Sequence, residues 1–426
     1  MRSSRRTKIA LITDDTVVVG IDVAKRNHVA RCVDRRGITL CKPFRFHNTS
    51  DGLESLTRSI DRVRQEHRLN RVVVAMEPTG HYWKAIAHRL KQMGYTVLNV
   101  NPYHVHQSKE LDDNSPTKND AKDTGVISAL VTQGRFVQPN LPEGVYADLR
   151  NLVTARDQLR DKMHRVEMLV QQLLDQYFPE FQSVMKTWDS KTGWTTLREC
   201  PFPCDIVKIG SQGLYDKWSQ AGHQRAGLKR AEALYEAAAS SIGLTEGIMS
   251  AELKLDCLLD EMELLKSQRN RLESKMAELI ATTPYGDALM SIPALGVVTV
   301  ATLLSEAGDL SNYASWRQLQ KLAGLNLTEN SSGQHKGKCR ISKRGRSALR
   351  SLLYQSALRM IIHSPEFKAL HEYFTKRSER PLAGKQSVVA LSLKLLRIIF
   401  YIARRNDRYD ASKVLGEYRK EQLAAA

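Results

Sequence analysis

Four acids carry the clearest chemistry in this sequence. Asp22 closes the β-branched run Thr16-Val-Val-Val-Gly-Ile-Asp22, and Glu77 follows Arg71-Val-Val-Val-Ala-Met76. Asp120 and Asp123 lie in Lys118-Asn-Asp-Ala-Lys-Asp-Thr124, which opens an apolar-periodic segment with Val126, Ile127, Leu130 and Val131. On a helix, positions i and i+3 share a face, so the two aspartates form one pair. Strand ends gather residues that are distant in sequence, and four carboxylates from three places can converge there. Without a counter-charge they would repel one another; bound Mg²⁺ relieves that repulsion. Two such ions can activate one oxygen and stabilise another in phosphoryl transfer. Taken singly, Asp22 reads equally well as a strand-end turn acid, and Asp120 as an acid matched to a helix dipole. Their joint placement is what suggests a site. Lys25, Lys118 and Lys122 stand nearby in sequence, as phosphate contacts or as solvated charges.

A second constellation is basic. Lys336, Lys338, Arg340, Lys343, Arg344, Arg346 and Arg350 follow one another with no acid between His335 and Arg350. A merely solvated face mixes both signs, so the run points to contacts with a phosphate backbone. It is preceded by Asn330-Ser-Ser-Gly333. A serine beside glycine is usually a turn residue; beside phosphate-binding charge it can also be a nucleophile, and both readings stay open. Upstream, Ser291-Ile-Pro-Ala-Leu-Gly-Val-Val-Thr-Val-Ala-Thr-Leu-Leu-Ser-Glu306 has the shape of a helix-hairpin-helix. Its Pro-x-x-Gly turn would open onto a helix whose free amides bind phosphate without reading sequence; a simple helical turn is the alternative. Cys200 and Cys204, with His223, make at most half of a zinc site.

These groups need elements to hold them. Residues 16–137 alternate strand and helix signals. Three strands, Thr16–Asp22, His28–Val33 and Ile38–Phe46, form a meander. Ser50 with Glu54 caps an amphipathic helix, with Leu53, Leu56, Ile60 and Val63 on its apolar face. The strand Arg71–Met76, a helix over 81–93 and the strand Thr96–Val100 follow, then a helix carrying the aspartate pair. This β-β-β-α-β-α-β-α order is ribonuclease-H-like: an open mixed sheet flanked by helices. Residues 145–180 and 246–282 carry heptads and read as coiled-coil helices, each with one arginine in its seam, Arg156 and Arg269. Residues 181–245, with Trp188, Trp194 and Trp218, read as an inserted subdomain at the tip of that helical hairpin. The expected organisation is α/β plus all-α. A basic tail spans 1–15 and a ribonuclease-H-like domain 16–144. The helical hairpin and its insert follow, then a C-terminal helical domain over 283–410 and a tail over 411–426.

Composition narrows the function. The chain has 426 residues, and 64 Lys and Arg against 46 Asp and Glu give a net charge of +18. Such an excess implies a polyanionic partner, most often nucleic acid. The apolar stretch after the basic start is too short for a signal peptide. The run over 388–403 carries Lys394 and Arg397 and reads as a buried or amphipathic helix, with no membrane partner. Six scattered cysteines read as reduced thiols in a cytoplasmic setting.

The motifs, in order, resemble a known family. Gly20-Ile-Asp-Val-Ala-Lys25, Glu77-Pro-Thr-Gly-His-Tyr-Trp83, Lys118-Asn-Asp-Ala-Lys-Asp123, Ile292-Pro-Ala-Leu-Gly296, and Ser332-Gly333 through Ile341-Ser-Lys-Arg-Gly345 are similar to those of the DEDD recombinases. That family comprises insertion-sequence transposases and pilin-gene invertases, some of them guided by a structured bridge RNA. The resemblance covers roughly 16–180 and 250–363. It implies a RuvC-like domain with Asp22, Glu77, Asp120 and Asp123 holding Mg²⁺, and a C-terminal transposase domain supplying Ser332 as nucleophile. It also implies a composite site formed in a homo-oligomer, a dimer or tetramer, acting on double-stranded donor and target DNA. The chain departs from the usual pattern at Pro78, Asn119 and the second serine, Ser331. The competing expectations are a RuvC-like nuclease that hydrolyses branched DNA with metal-activated water, and a non-catalytic nucleic-acid-binding scaffold.

Overall fold

A computed structural model describes residues 5–78, 80–113, 120–139, 141–223, 227–328, 331–332, 335–336 and 339–417. The chain divides into two compact units, Met1–Pro142 and Glu143–Ala426.

The first unit contains α1 (Arg5–Ile9), β1 (Thr16–Asp22), β2 (Asn27–Val33), β3 (Phe44–His47), α2 (Ser50–His67), β4 (Arg71–Met76) and α3 (Trp83–Gln92). It continues with β5 (Thr96–Val100), α4 (Pro102–Asp113), α5 (Asp120–Thr132) and β6 (Phe136–Val137). The strands form one mixed sheet in the order β3-β2-β1-β4-β5-β6. β1, β4 and β5 run parallel, while β2, β3 and β6 pair antiparallel with their neighbours. A strand covered on both faces must be apolar throughout, and β1 is buried from Thr16 to Ile21. Val17, Val19 and Ile21 face the core that includes Leu56 and Ile60 of α2, and Ala87 and Leu90 of α3. Val18, Val73 and Ala75 face the core that includes Val126, Ile127 and Val131 of α5. Period-two alternation therefore sorts the sheet into an α2–α3 face and an α5 face.

Two local expectations change, and two elements are added. Of the expected strand Ile38–Phe46, only Phe44–His47 pairs with β2; Pro43 lacks an amide to donate, and Thr39 makes only an isolated bridge to Val33. The cap of α2 is Thr49 rather than Ser50: the Gly52 amide donates to the Thr49 hydroxyl at 3.2 Å. Helix α4 and the edge strand β6 had no clear periodic signal. At the amino end, Ile12 is buried and the Lys8 ammonium donates to the Phe136 carbonyl.

The second unit is built on α6 (Val145–Tyr177) and α11 (Ile248–Ala281), which pack antiparallel. Between them lie α7 (Phe181–Val184), α8 (Lys191–Glu199), α9 (Pro203–Gln220) and α10 (Leu228–Ala239). These four helices share a core with Val166 and Val170 of α6 and Leu255 and Leu259 of α11. Trp218 is fully buried, its indole N–H donating to the Thr196 hydroxyl at 2.9 Å, and Trp188 stacks on Trp194. The seam arginine Arg156 donates to Glu273 across the helix pair at 2.8 Å.

After α11 come α12 (Gly286–Met290), α13 (Val297–Ala307), α14 (Trp316–Leu322), β7 (Leu327–Thr328), β8 (Ser331–Ser332), β9 (His335–Lys336) and β10 (Arg340–Ile341). Three helices close the unit: α15 (Ser347–His363), α16 (Pro365–Lys376) and α17 (Gly384–Arg405). Helix α17 alone among the described residues is long and apolar enough to span a membrane. Its apolar side, including Leu391, Leu395 and Ile399, is buried in the core with Leu303, Leu353 and Phe367.

Candidate functional site

The acids sit where parallel pairing brings strand ends together. Val19 pairs with Val74, Gly20 with Ala75 and Ile21 with Met76, so Asp22 and Glu77 come next in the same register, at adjacent carboxyl ends. By alternation both fall on the α5 face of the sheet. Both are half-buried.

Glycine decides how α5 approaches. A Cβ on Gly20 would lie 2.5 Å from the Thr124 carbonyl oxygen and would also strike the Ser128 hydroxyl. The first turns of α5 therefore lie directly on β1, two residues from Asp22. Asp123, adjacent to Thr124, is buried at 7% exposure. The backbone of Asp120 begins α5, whereas its side chain lies outside the described residues. The structure thus brings Asp22, Glu77 and the amino end of α5 to one edge. Among the described side chains, no group of three His, Cys, Asp or Glu residues meets the geometry of an ion site. The Cys200, Cys204 and His223 trio likewise forms none: Cys200 is buried, Cys204 is exposed, and the His223 ring pairs with the Thr195 hydroxyl.

Gly20→Ala should therefore lower the stability of this unit by about 3 kcal/mol, because backbone rather than a flexible side chain must give way. A urea titration that places the variant within about 0.5 kcal/mol of wild type would show that α5 does not sit so close.

Arg31 escaped the sequence reading. It is the residue of β2 opposite Gly20, and its Nη1 would lie 2.8 Å from a Cβ on Gly125 of α5. Its Nε is buried without a hydrogen-bond partner. A charged residue inside the otherwise apolar stretch Val29–Val33 was the only available signal. It places a cation on the acid-bearing face.

The serine and the basic run lie in the second unit. β7 and β10 pair through Leu327–Ile341 and Thr328–Arg340. Between them, β8 and β9 pair through Ser331–Lys336 and Ser332–His335. Ser332 thus lies on a small β-ribbon; its side chain, and those of Ser331, Lys336 and Lys338, lie outside the described residues.

The segment after β10 is zipped onto 322–326. The Ser342, Lys343 and Arg346 amides donate to the Asn326, Gly324 and Leu322 carbonyls at 2.7, 3.0 and 2.7 Å. Gly345 permits this approach, since a Cβ there would lie 2.5 Å from the Gly324 nitrogen. The five described cations divide by role. Arg346 donates to Glu306 at 3.2 Å, and Arg350 donates to the Ala323 carbonyl at 3.0 Å. These two brace the loop. Arg340, Lys343 and Arg344 are exposed. Lys343 and Arg344 stand just before Arg346, the cap of α15, whose first turn holds no acid. A helix amino terminus favours negative charge, so cations gathered there are relieved by an incoming anion.

The sheet order and the acids at its strand ends are those of a ribonuclease-H-like domain, here followed by a helical unit that carries a basic ribbon. Comparison with known proteins agrees. Residues 19–179 match a family model described as a transposase, the DEDD transposase of the IS110 type, and residues 286–372 match one described as a transposase of the IS116/IS110/IS902 family. The two span more than half of the chain, which belongs to this family of insertion-element transposases. It is 24% identical to an uncharacterised 44.8 kDa protein of insertion element IS116 from Streptomyces clavuligerus, covering 92% of this chain and 95% of that one. It is 23% identical to a 43.6 kDa protein of IS110 from Streptomyces coelicolor, covering 70% and 74%. A pilin gene-inverting protein of Moraxella bovis is 30% identical over 33% of this chain and 44% of its own length.

Proposed function

We propose that this protein is a site-specific DNA transposase that cuts and rejoins strands through a covalent phosphoserine. The observation that carries the reading is the register that sets Asp22 beside Glu77 beneath the acidic start of α5, in a chain of the transposase family.

An all-oxygen donor set on a sheet edge suits a hard divalent cation, and Asp22, Glu77, Asp120 and Asp123 would hold Mg²⁺. When bound, the ion supplies neutralisation of charge on the reacting phosphate. The chain's own groups do the rest. Arg340, Lys343 and Arg344, with the α15 amides, grip the backbone phosphates, while Arg346 and Arg350 keep that loop in place. The free amides at the start of α13 add a second phosphate contact. The Ser332 hydroxyl attacks phosphorus and gives up its proton to a carboxylate. The bond from phosphorus to one strand oxygen breaks, and that oxygen leaves as a hydroxyl carrying the proton that the serine gave up. The new serine ester keeps the bond energy, so a hydroxyl of another strand can displace Ser332 and rejoin the DNA without a high-energy cofactor.

Exchange of two duplexes needs several subunits, so the active form is a homo-oligomer, with a bridge RNA as guide and a cytoplasmic setting. The seam between α6 and α11, the coiled coil of this reading, is largely filled from within the chain. Contacts between subunits would fall on outward residues such as Met168, Leu253 and Leu264, each more than half exposed.

The test is a suicide substrate carrying the element end, incubated with the protein and Mg²⁺. A protein–DNA adduct that survives denaturant is expected. Free cleaved ends with no adduct would favour hydrolysis by activated water instead.

The basic loop gives a separate prediction. Lys343→Ala with Arg344→Ala should weaken duplex binding about equally across sequences and lower the salt slope by about two. A loss confined to one sequence, with the slope unchanged, would show that these residues read bases.

A further inference from the structure

Helix α17 and the segment after it form a pocket that the function above does not use. Between Glu379 and Asp407 the chain has no acid, yet it carries Lys394, Arg397, Arg404 and Arg405. One side of α17 is core. Its other side, with the returning segment over 407–414, encloses about 420 Å³ lined by Lys394, Arg397, Tyr401, Arg405, Arg408 and Tyr409. Two acids, Asp407 and Asp410, also reach the rim, and Asp410 pairs with Lys413 at 3.5 Å, so positive charge prevails. The region lies beyond residue 372, where the second family model ends.

The pocket is built rather than incidental. The Tyr409 amide donates to the Ser291 hydroxyl at 2.8 Å, and Val414 is buried in the core, so the returning segment is tied down at two points. Arg397 lies 4.1 Å from the Trp316 ring centroid, and Arg405 lies 5.9 Å from that of Tyr401. Tyr401 itself is 48% exposed. Cations spread around an open aromatic face match a phosphate with a base attached. A duplex keeps its bases stacked and offers only backbone, so an aromatic in a concave basic pocket suits an unpaired nucleotide.

The pocket also continues a path. Trp316 starts α14 and Leu322 ends it, and the Leu322 carbonyl anchors the basic loop through Arg346. At 1.5 Å per residue these ends are roughly 9 Å apart, little more than one nucleotide of extended strand.

We propose that this pocket holds one unpaired nucleotide of a nucleic-acid strand, Tyr401 stacking on the base and Arg405 and Arg408 contacting phosphate. The inference rests on the function above only in taking nucleic acid as the anion.

Binding of the full chain to 12-nucleotide oligothymidylate, 12-nucleotide oligouridylate and a 12-base-pair duplex can be followed by fluorescence anisotropy without divalent metal. Tyr401→Ala should weaken single-strand binding about tenfold, leave the salt slope unchanged and spare the duplex. Arg405→Ala with Arg408→Ala should lower the single-strand salt slope by about 1.4. A loss on both oligomers identifies a shared strand site; a loss on one alone identifies its sugar. Thermal midpoints equal to wild type keep the comparison fair, since the three side chains are exposed. Single-strand binding unchanged in both variants overturns the inference, as does an equal loss on the duplex. The suicide-substrate assay separates the two ideas: an adduct from variants that bind single strands like wild type would leave the transposase reading intact and remove this pocket from it.

Discussion

Asp22→Ala and Asp123→Ala are each expected to lose strand cleavage by a thousandfold or more while binding DNA as well as wild type or better. Asp22 follows Ile21, which pairs with Met76, so Asp22 and Glu77 stand side by side at adjacent strand ends. Asp123 is buried beside Thr124, the residue in contact with Gly20, so its carboxylate has little freedom to be replaced by a neighbour. Charge stabilisation at a reacting phosphate is worth several kcal/mol, and each 1.36 kcal/mol is tenfold in rate, so about a thousandfold follows. Binding moves the other way because a negative charge near phosphate has been removed. Cleavage is read on a labelled element end with Mg²⁺ and binding on the same DNA without it. Near-normal cleavage by Asp22→Ala would remove the acids from the mechanism. Lost cleavage accompanied by lost binding would point to a misfolded first unit, which a urea titration of the same aspartate variants would expose independently.

The second large effect concerns Ser332. Ser332→Ala should abolish both the adduct and the rejoined product, while Ser331→Ala retains them. Peptide mapping of the trapped species should place the DNA on Ser332. The two serines are neighbours on β8, paired opposite His335 and Lys336, so a general disturbance of the ribbon should affect both variants alike. A difference between them therefore reports chemistry rather than folding. Cleavage by Ser332→Ala with no adduct would make the water-activating nuclease the better description. An adduct on Ser331 would keep the phosphoserine route and move it by one residue.

Much of this molecule was legible in one dimension because its signals are local. Strands β1, β4 and β5 are β-branched runs bounded by turn residues, and the sheet adds nothing to their limits. The apolar face of α2 and that of α5 follow from the helical period alone, and the long helices α6 and α11 from their heptads. The acids at 22, 77, 120 and 123 stood out by residue type at element ends, and membership of the transposase family was legible in the motifs that contain them. What escaped lacked a local signal. Helix α4 shows little apolar periodicity, β6 is two residues at a sheet edge, and the Ile38–Phe46 strand was cut short by Pro43. Tertiary structure alone decided the rest, because it turns on partners far apart in sequence. The closeness of α5 to β1 depends on a missing side chain at Gly20, and the presence of Arg31 on the acid face on antiparallel register. The division of the basic run is of the same kind. Arg346 and Arg350 look like their neighbours in sequence, and only Glu306 and the Ala323 carbonyl, 40 and 27 residues away, make them braces while Arg340, Lys343 and Arg344 remain exposed.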